Sequence, residues 1–168
     1  MKRFGILLLF LSFAFQALMA QKTETDFYSM LDGMYSYTVP LMTPAEFNKK
    51  DASKYLILDT REVKEYKVSH IPNAKCVGYD NFNADALRDT PRDQPILVYC
   101  SVGYRSERIG EKLQEMGFTH VYNLYGGIFN WSNKGEGMVD ENQSNTHNVH
   151  GFNQEWSQWI LKGKKVLK

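Results

Sequence analysis

At 168 residues, with 43% hydrophobic and 14% aromatic content, the chain suits one globular domain with appendages, and it carries no repeat or low-complexity run. Its 20 basic and 19 acidic residues nearly cancel, which excludes the strongly basic surface that nucleic-acid binding draws on. The two cysteines, Cys76 and Cys100, leave a disulfide open on count alone.

The N-terminus differs in kind from the rest. Lys2 and Arg3 precede an uncharged apolar run over 4–15, and small residues from Ala17 to Ala20 precede Gln21, the pattern of a cleavable secretory signal over 1–20. The apolar run is shorter than the roughly 20 residues a membrane span needs. Export, to the bacterial periplasm, is the expectation. Loss of Lys2 and Arg3 would leave 18 basic residues against 19 acidic ones.

Residues 21–39 read as a helical extension, because Phe27, Met30, Leu31 and Met34 fall at helical spacing behind Thr25 and Asp26. Thr43-Pro44-Ala45-Glu46 has the form of a capping box with proline at the first helical position. From there apolar runs alternate with amphipathic ones: strands are predicted over 55–58, 75–77, 96–99 and 121–124, helices over 62–68, 83–89 and 106–116. Such alternation predicts an α/β fold, a parallel sheet flanked by helices on both faces. Gly117 stops the third helix, and Gly110 within it, at a cost of about 1 kcal/mol relative to alanine, predicts close helix–sheet packing. A polar linker over 133–148 then leads to Phe152, Trp156, Trp159 and Ile160 at helical spacing, so 136–168 reads as a linker and a C-terminal amphipathic helix docked through its aromatics. The lysines that follow, Lys162, Lys164, Lys165 and Lys168, read as a solvated end.

The chemistry concentrates in Val98-Tyr99-Cys100-Ser101-Val102-Gly103-Tyr104-Arg105-Ser106, a thiol at the end of a buried strand, a glycine-containing loop and an arginine opening a helix. Ligands of open α/β sheets bind at such strand ends, where loop amides and a helix N-terminus favour negative charge. Those surroundings and a nearby arginine favour the thiolate, the nucleophilic form of cysteine. The competing view of Cys100 as a small packed hydrophobe leaves Gly103 and Arg105 without a purpose. Elsewhere the signals are weak. His147 and His150 sit in the polar linker without acidic or cysteine neighbours at ligand spacing, and read as exposed loop histidines. No serine-histidine-acid set or phosphate loop appears, and neither metal nor cofactor is expected.

Cys100-Ser101-Val102-Gly103-Tyr104-Arg105-Ser106 resembles the Cys-x-x-Gly-x-Arg active-site loop of rhodanese-like sulfurtransferases. Other blocks fall in that family's order. Leu56-Ile57-Leu58-Asp59-Thr60-Arg61-Glu62 is similar to its first strand and acidic-basic pair, and Ser69-His70-Ile71-Pro72-Asn73-Ala74 to its His-Ile-Pro-Gly-Ala turn. Gly126-Gly127-Ile128-Phe129-Asn130-Trp131 is similar to its closing Gly-Gly-x-x-x-Trp element. Asn73 replaces the usual glycine, a mild change because asparagine tolerates the left-handed conformation. The resemblance covers 40–135 and implies a three-layer rhodanese-like fold. It also places Cys76 on an edge strand, separated from Cys100 by the strand at 56–58, which argues against a disulfide.

The resemblance implies a sulfurtransferase in which Cys100 takes the sulfane sulfur of a small donor such as thiosulfate and passes it, as a persulfide, to cyanide or a thiol. The loop amides of Ser101, Val102, Gly103 and Tyr104 would hold the persulfide's charge, and Arg105 would pair with the anionic donor. Asp59, Arg61 and Ser106 are supporting residues, although Asp59 and Arg61 also read as a helix-entry cap and a surface charge. His70 reads as a structural hydrogen-bonding group. Two alternatives stand beside this one. A persulfide carrier or partner-binding module, acting with an exported protein, uses the same loop without turnover. A phosphatase or arsenate reductase fits less well, because Cys-x4-Arg makes a tighter ring than the Cys-x5-Arg of related folds. The chain is expected to act as a monomer.

Overall fold

Aliphatic runs too short for helices form the strands of the central sheet. In the computed structural model, which describes residues 22–167, these are β1 (Leu41–Met42), β2 (Leu56–Asp59), β3 (Lys75–Cys76), β4 (Ile96–Tyr99) and β5 (Val121–Leu124). They pair in the order β1-β5-β4-β2-β3, every pair parallel. The register places Asp59 beside Tyr99, so the ends of β2 and β4 open at one level. All four residues of β4 are buried, as expected of a central strand covered on both faces. The expected signal segment lies outside the described residues.

Alternation along the strands splits the core in two. Leu58, Ile96, Val98 and Val121 face α4 (Tyr104–Glu115) through Ile109 and Leu113. Ile57, Leu97, Tyr99 and Leu124 face the opposite layer, with α1 (Glu24–Asp32) and α5 (Gly127–Asn133). Thr23 and Asp26 close a capping box on α1, and Thr43 and Glu46 close another on the single turn α2 (Pro44–Phe47). The helix after β2 is α3 (Val63–Val68). Asn73 takes φ 66°, the left-handed conformation its position in the turn predicts. A Cβ on Gly110 would stand 2.9 Å from Val39 Cγ2, so the close approach is to the segment entering β1 rather than to the sheet.

Several elements differ from expectation. Strand β1, too short for a periodic signal, exists because its backbone pairs with the edge of β5. The helix over 83–89 is a 3₁₀ turn, Ala84–Leu87, capped by the Asn83 side chain. The third helix starts at Tyr104, two residues before the predicted Ser106, because Gly103 is its left-handed N-cap.

The tail departs most. The segment after 136 holds a hairpin of β6 (Met138–Val139) and β7 (Asn145–Thr146), and a parallel pair of β8 (Asn148–His150) and β9 (Lys164–Val166). Only one helical turn, α6 (Gln154–Ser157), interrupts it. Helical spacing misleads here because Phe152 and Gly163, at φ 63° and 100°, turn the chain back at both ends of the aromatic run. The segment is pinned through Asn133, whose Nδ2 donates to the Trp159 carbonyl at 3.0 Å and whose Oδ1 accepts from Leu161 N and Lys162 N. Trp159 packs 6.1 Å from the Phe27 ring, so the two terminal extensions meet on one face of the domain.

Candidate active site

Strand β4 delivers Cys100 to the mouth of the sheet, and the next residues turn so that their carbonyls leave the thiol. The Cys100 and Ser101 carbonyls accept from Ile128 N (2.9 Å) and Phe129 N (3.0 Å) at the start of α5. The Val102 carbonyl accepts from Tyr35 Oη at 2.5 Å. The Gly103 carbonyl accepts from Asn123 Nδ2 (2.9 Å) and from Glu107 N (3.0 Å). With every carbonyl of residues 100–103 held outward, the amides are left to face inward, and Gly103 N donates to Cys100 Sγ at 3.1 Å. The first-turn amides of α4, from Tyr104 to Ser106, lie before any intrahelical acceptor and extend this electropositive rim.

Two glycines let the loop close this tightly. Gly103 has φ 108°, and Gly127 has φ 54° with its α-carbon so near the loop that a Cβ would stand 2.3 Å from the Cys100 carbonyl oxygen. The Gly-Gly pair at the start of α5 therefore serves as the anchor of the cysteine loop.

Arg105 is already paired. Its Nη1 and Nη2 donate to Glu65 Oε2 (2.8 Å) and Oε1 (2.9 Å), and Nη2 also reaches Ser101 Oγ at 3.0 Å. Glu65 is buried in α3 and takes a further bond from Ser101 Oγ at 3.2 Å. Burial pushes the Glu65 carboxyl up, but the Arg105 guanidinium, with Arg61 and the Glu62 amide, reverses this and holds it below its ordinary 4.5. These bonds make a bidentate clamp joining α4, the loop and α3.

Asp59 and Arg61 form a wholly buried ion pair, Nη2 to Oδ2 2.6 Å, so the reading of Arg61 as a surface charge is corrected. Arg61 Nη2 also donates to the Ser69 carbonyl at 2.6 Å, fastening the turn before Ile71 to the end of β2. Ser106 Oγ lies 2.7 Å from Asn123 Oδ1 beneath the loop. His70 Nδ1 donates to the Tyr66 carbonyl at 2.9 Å, a structural bond as expected. His150 is buried rather than exposed, with Nδ1 accepting from Phe152 N at 3.1 Å. Cys76 and Cys100 are free thiols with β2 between their strands, which puts them beyond the roughly 7 Å that a disulfide bridges.

Sequence reasoning missed Glu65, Tyr35 and Asn123. Glu65 carries a faint signal as the acidic third residue of a capping box, but only the β4-β2 adjacency brings it to the loop. Above Cys100 opens a cavity of about 330 Å³, lined by the loop, by Met34 and by Phe152 and Trp156 of the tail. Tyr104 also lines the cavity and stands half-exposed.

A parallel sheet that presents a cysteine inside an outward-tied amide loop defines a class of α/β proteins with an anion-favouring loop at the strand ends. Comparison with known proteins is specific about which. The Rhodanese-like domain family matches residues 43–134, more than half of the chain. A tRNA uridine(34) hydroxylase from Bdellovibrio bacteriovorus is 31% identical over 96 residues, 54% of this chain and 27% of that one. The Adenylyltransferase and sulfurtransferase UBA4 of Candida albicans is 34% identical over 92 residues, 51% of this chain and 20% of that one. The chain therefore spans about a quarter of the length of these curated relatives. Among solved structures, a rhodanese-related protein from Thermoplasma volcanium superposes with TM-score 0.51 at 26% identity, covering 61% of this chain and 99% of that one. The Thiosulfate sulfurtransferase of Pseudomonas aeruginosa shares the fold at TM-score 0.55 and 23% identity, over 61% of this chain and 20% of that one. This chain belongs to the rhodanese-like domain family.

Proposed function

We propose that the protein is a sulfurtransferase that carries sulfane sulfur as a persulfide on Cys100. The observation that carries the reading is the loop itself: four successive carbonyls, from Cys100 to Gly103, are bonded away from the thiol while Gly103 N–H points to it at 3.1 Å. In the first step the Cys100 thiolate attacks the outer sulfur of a donor such as thiosulfate. A new S–S bond forms, the old one breaks, and its electron pair leaves on sulfite. In the second step cyanide or a thiolate attacks the outer sulfur of the persulfide, and Cys100 leaves as thiolate. Written from the anions, neither step transfers a proton. Preorganised amides that already face the charge lower the barrier without reorganising.

Arg105 serves this chemistry as a positioning residue, since its clamp on Glu65 and Ser101 sets where the loop sits. The leader-like N-terminus supports an exported protein, for which small thiols or an exported protein partner are the available acceptors. The test is intact mass of the mature protein after thiosulfate treatment, beside Cys100→Ser. A gain of one sulfur, removed by cyanide and absent in the variant, is expected. A reduced, folded protein that gains no sulfur overturns the thiosulfate mechanism.

A further inference from the structure

The lysines that follow Ile160 are held on a fixed frame, whereas the last residues of most domains fray unless tied down. Leu161 N and Lys162 N donate to Asn133 Oδ1, the Lys162 carbonyl accepts from Ser132 Oγ at 2.9 Å, and Lys164 N donates to the His147 carbonyl at 2.7 Å. Gly163, at φ 100°, turns the chain between them, and β9 then pairs with β8. Lys162, Lys164 and Lys165 all stand exposed on this frame. Among the described residues, none of the three has a carboxylate at ion-pair distance. Gathering like charges on an ordered segment costs free energy through their repulsion, and an anionic surface that supplies the counter-charge relieves it.

Two further cations join the patch. Lys22 Nζ lies 4.8 Å from the Trp159 ring centroid, and Lys134 pairs with Glu24 at the start of α1. Lys162 lies within electrostatic range of the same Glu24 carboxylate, so the tail lysines and the N-terminal extension share one face. Beyond Glu155 the sequence carries no acidic residue. Leu161 and Leu167 flank the lysines and stay 36% and 44% exposed. Lysine heads on long stems beside exposed leucines match a boundary that is charged outside and apolar just beneath. A soluble polyanion answers the lysines but offers the leucines nothing. Lys22 also follows directly on the leader-like segment 1–20, so this is the face that the chain brings to a membrane when the leader engages it.

We infer that the face formed by Lys22, Lys134 and residues 161–167 docks onto an anionic phospholipid bilayer. Among the described residues no helix is long and apolar enough to cross a membrane, so the contact made by this face is peripheral. The ammonium groups meet the headgroup phosphates, and Leu161 and Leu167 reach the acyl boundary. Each lysine near such a surface strengthens binding several-fold, and salt weakens it.

The test is co-sedimentation of the protein recovered after export with vesicles of phosphatidylcholine alone and of an equal mixture of phosphatidylcholine and phosphatidylglycerol, at low and at high salt. A preference of about tenfold or more for the anionic vesicles at low salt, lost at high salt, is expected. It should fall about tenfold in the combined Lys162→Gln, Lys164→Gln and Lys165→Gln variant, whose altered side chains are all exposed. Because the variant keeps the N-terminus unchanged, the difference reads the tail alone. Equal partition between the two vesicle types overturns the inference. An anionic preference that persists undiminished in the folded variant overturns its assignment to this face. Retention on heparin without retention on the anionic vesicles overturns the lipid surface in favour of a soluble polyanion. Sulfur loading from thiosulfate should be the same in wild type and variant, so a failure of Cys100 chemistry is read separately from a failure of docking.

Discussion

Gly103 and Tyr35 are fitted to each other so closely that a Cβ on the glycine would stand 2.1 Å from the tyrosine Oη. The contact joins the N-terminal extension to the cysteine loop, since the same hydroxyl donates to the Val102 carbonyl and accepts from Gly126 N at 2.8 Å. One of the four loop carbonyls, that of Val102, is thus held from outside the residues that the family match covers.

Gly103→Ala should be severe for two independent reasons. The residue needs φ 108°, and the added methyl collides with an aromatic ring that is itself buried. Backbone strain alone costs about 1–3 kcal/mol. Relieving the clash moves the amide that faces Cys100, and a displacement of that kind lowers persulfide formation about 100-fold. Urea unfolding and the rate of sulfur loading check the two parts separately.

Tyr35→Phe removes one hydroxyl and strands two buried groups, the Val102 carbonyl and the Gly126 amide. A destabilisation of about 1–3 kcal/mol per stranded group is expected. Sulfur loading should fall as well, because the Val102 carbonyl is released to turn toward the thiol. A variant with normal stability and normal loading would remove the extension from the site's architecture.

Glu65→Gln leaves the Arg105 guanidinium, only 15% exposed, without its counter-charge. Breaking a pair of this kind costs about 3–5 kcal/mol. The pH dependence follows in sign. Burial raises the Glu65 carboxyl, and Arg105 together with Arg61 and the Glu62 amide outweighs it, so the folded value lies below the ordinary 4.5. The group therefore stabilises the fold above pH 4.5, and that stability is lost as pH falls through the folded value. Acid titration of the wild type should show this loss, and Glu65→Gln should lack it.

His150 acts in a higher window. Burial lowers its pKa below 6.5, with Arg61, Lys64 and Arg105 adding to the effect and Glu65 opposing it. A base with a depressed folded value binds fewer protons folded than unfolded, so stability is full above pH 6.5 and declines as pH falls below it. Because Phe152 N donates to His150 Nδ1, protonation also frees the strained turn that holds the aromatic wall. Below pH 6.5 the tail should lose amide-exchange protection before the sheet does, and His150→Gln should remove that pH dependence.

The sequence by itself determined the parallel α/β alternation, the capped helix start at Thr43, and the cysteine loop with its glycine and its anion-favouring helix entry, whereas the cap it placed at Thr25 or Asp26 lies at Thr23. Each of these depends on residues within a few positions of one another, where spacing and conformational preference speak directly. Asn73 in its left-handed turn belongs to the same set. Only the tertiary structure decided that Arg105 is spoken for by Glu65, that Asn123 and Tyr35 tie the loop carbonyls outward, and that Arg61 is buried rather than solvated. Glu65 lies 40 residues from Arg105 and Tyr35 lies 67 from Val102, distances along the chain over which no local pattern links them. The tail shows the limit most sharply. Phe152, Trp156 and Trp159 fall at helical spacing, yet two positive-φ residues and the buried Asn133 fold the segment into a wall over Cys100, because long-range hydrogen bonds outweigh a one-turn helix's weak intrinsic stability.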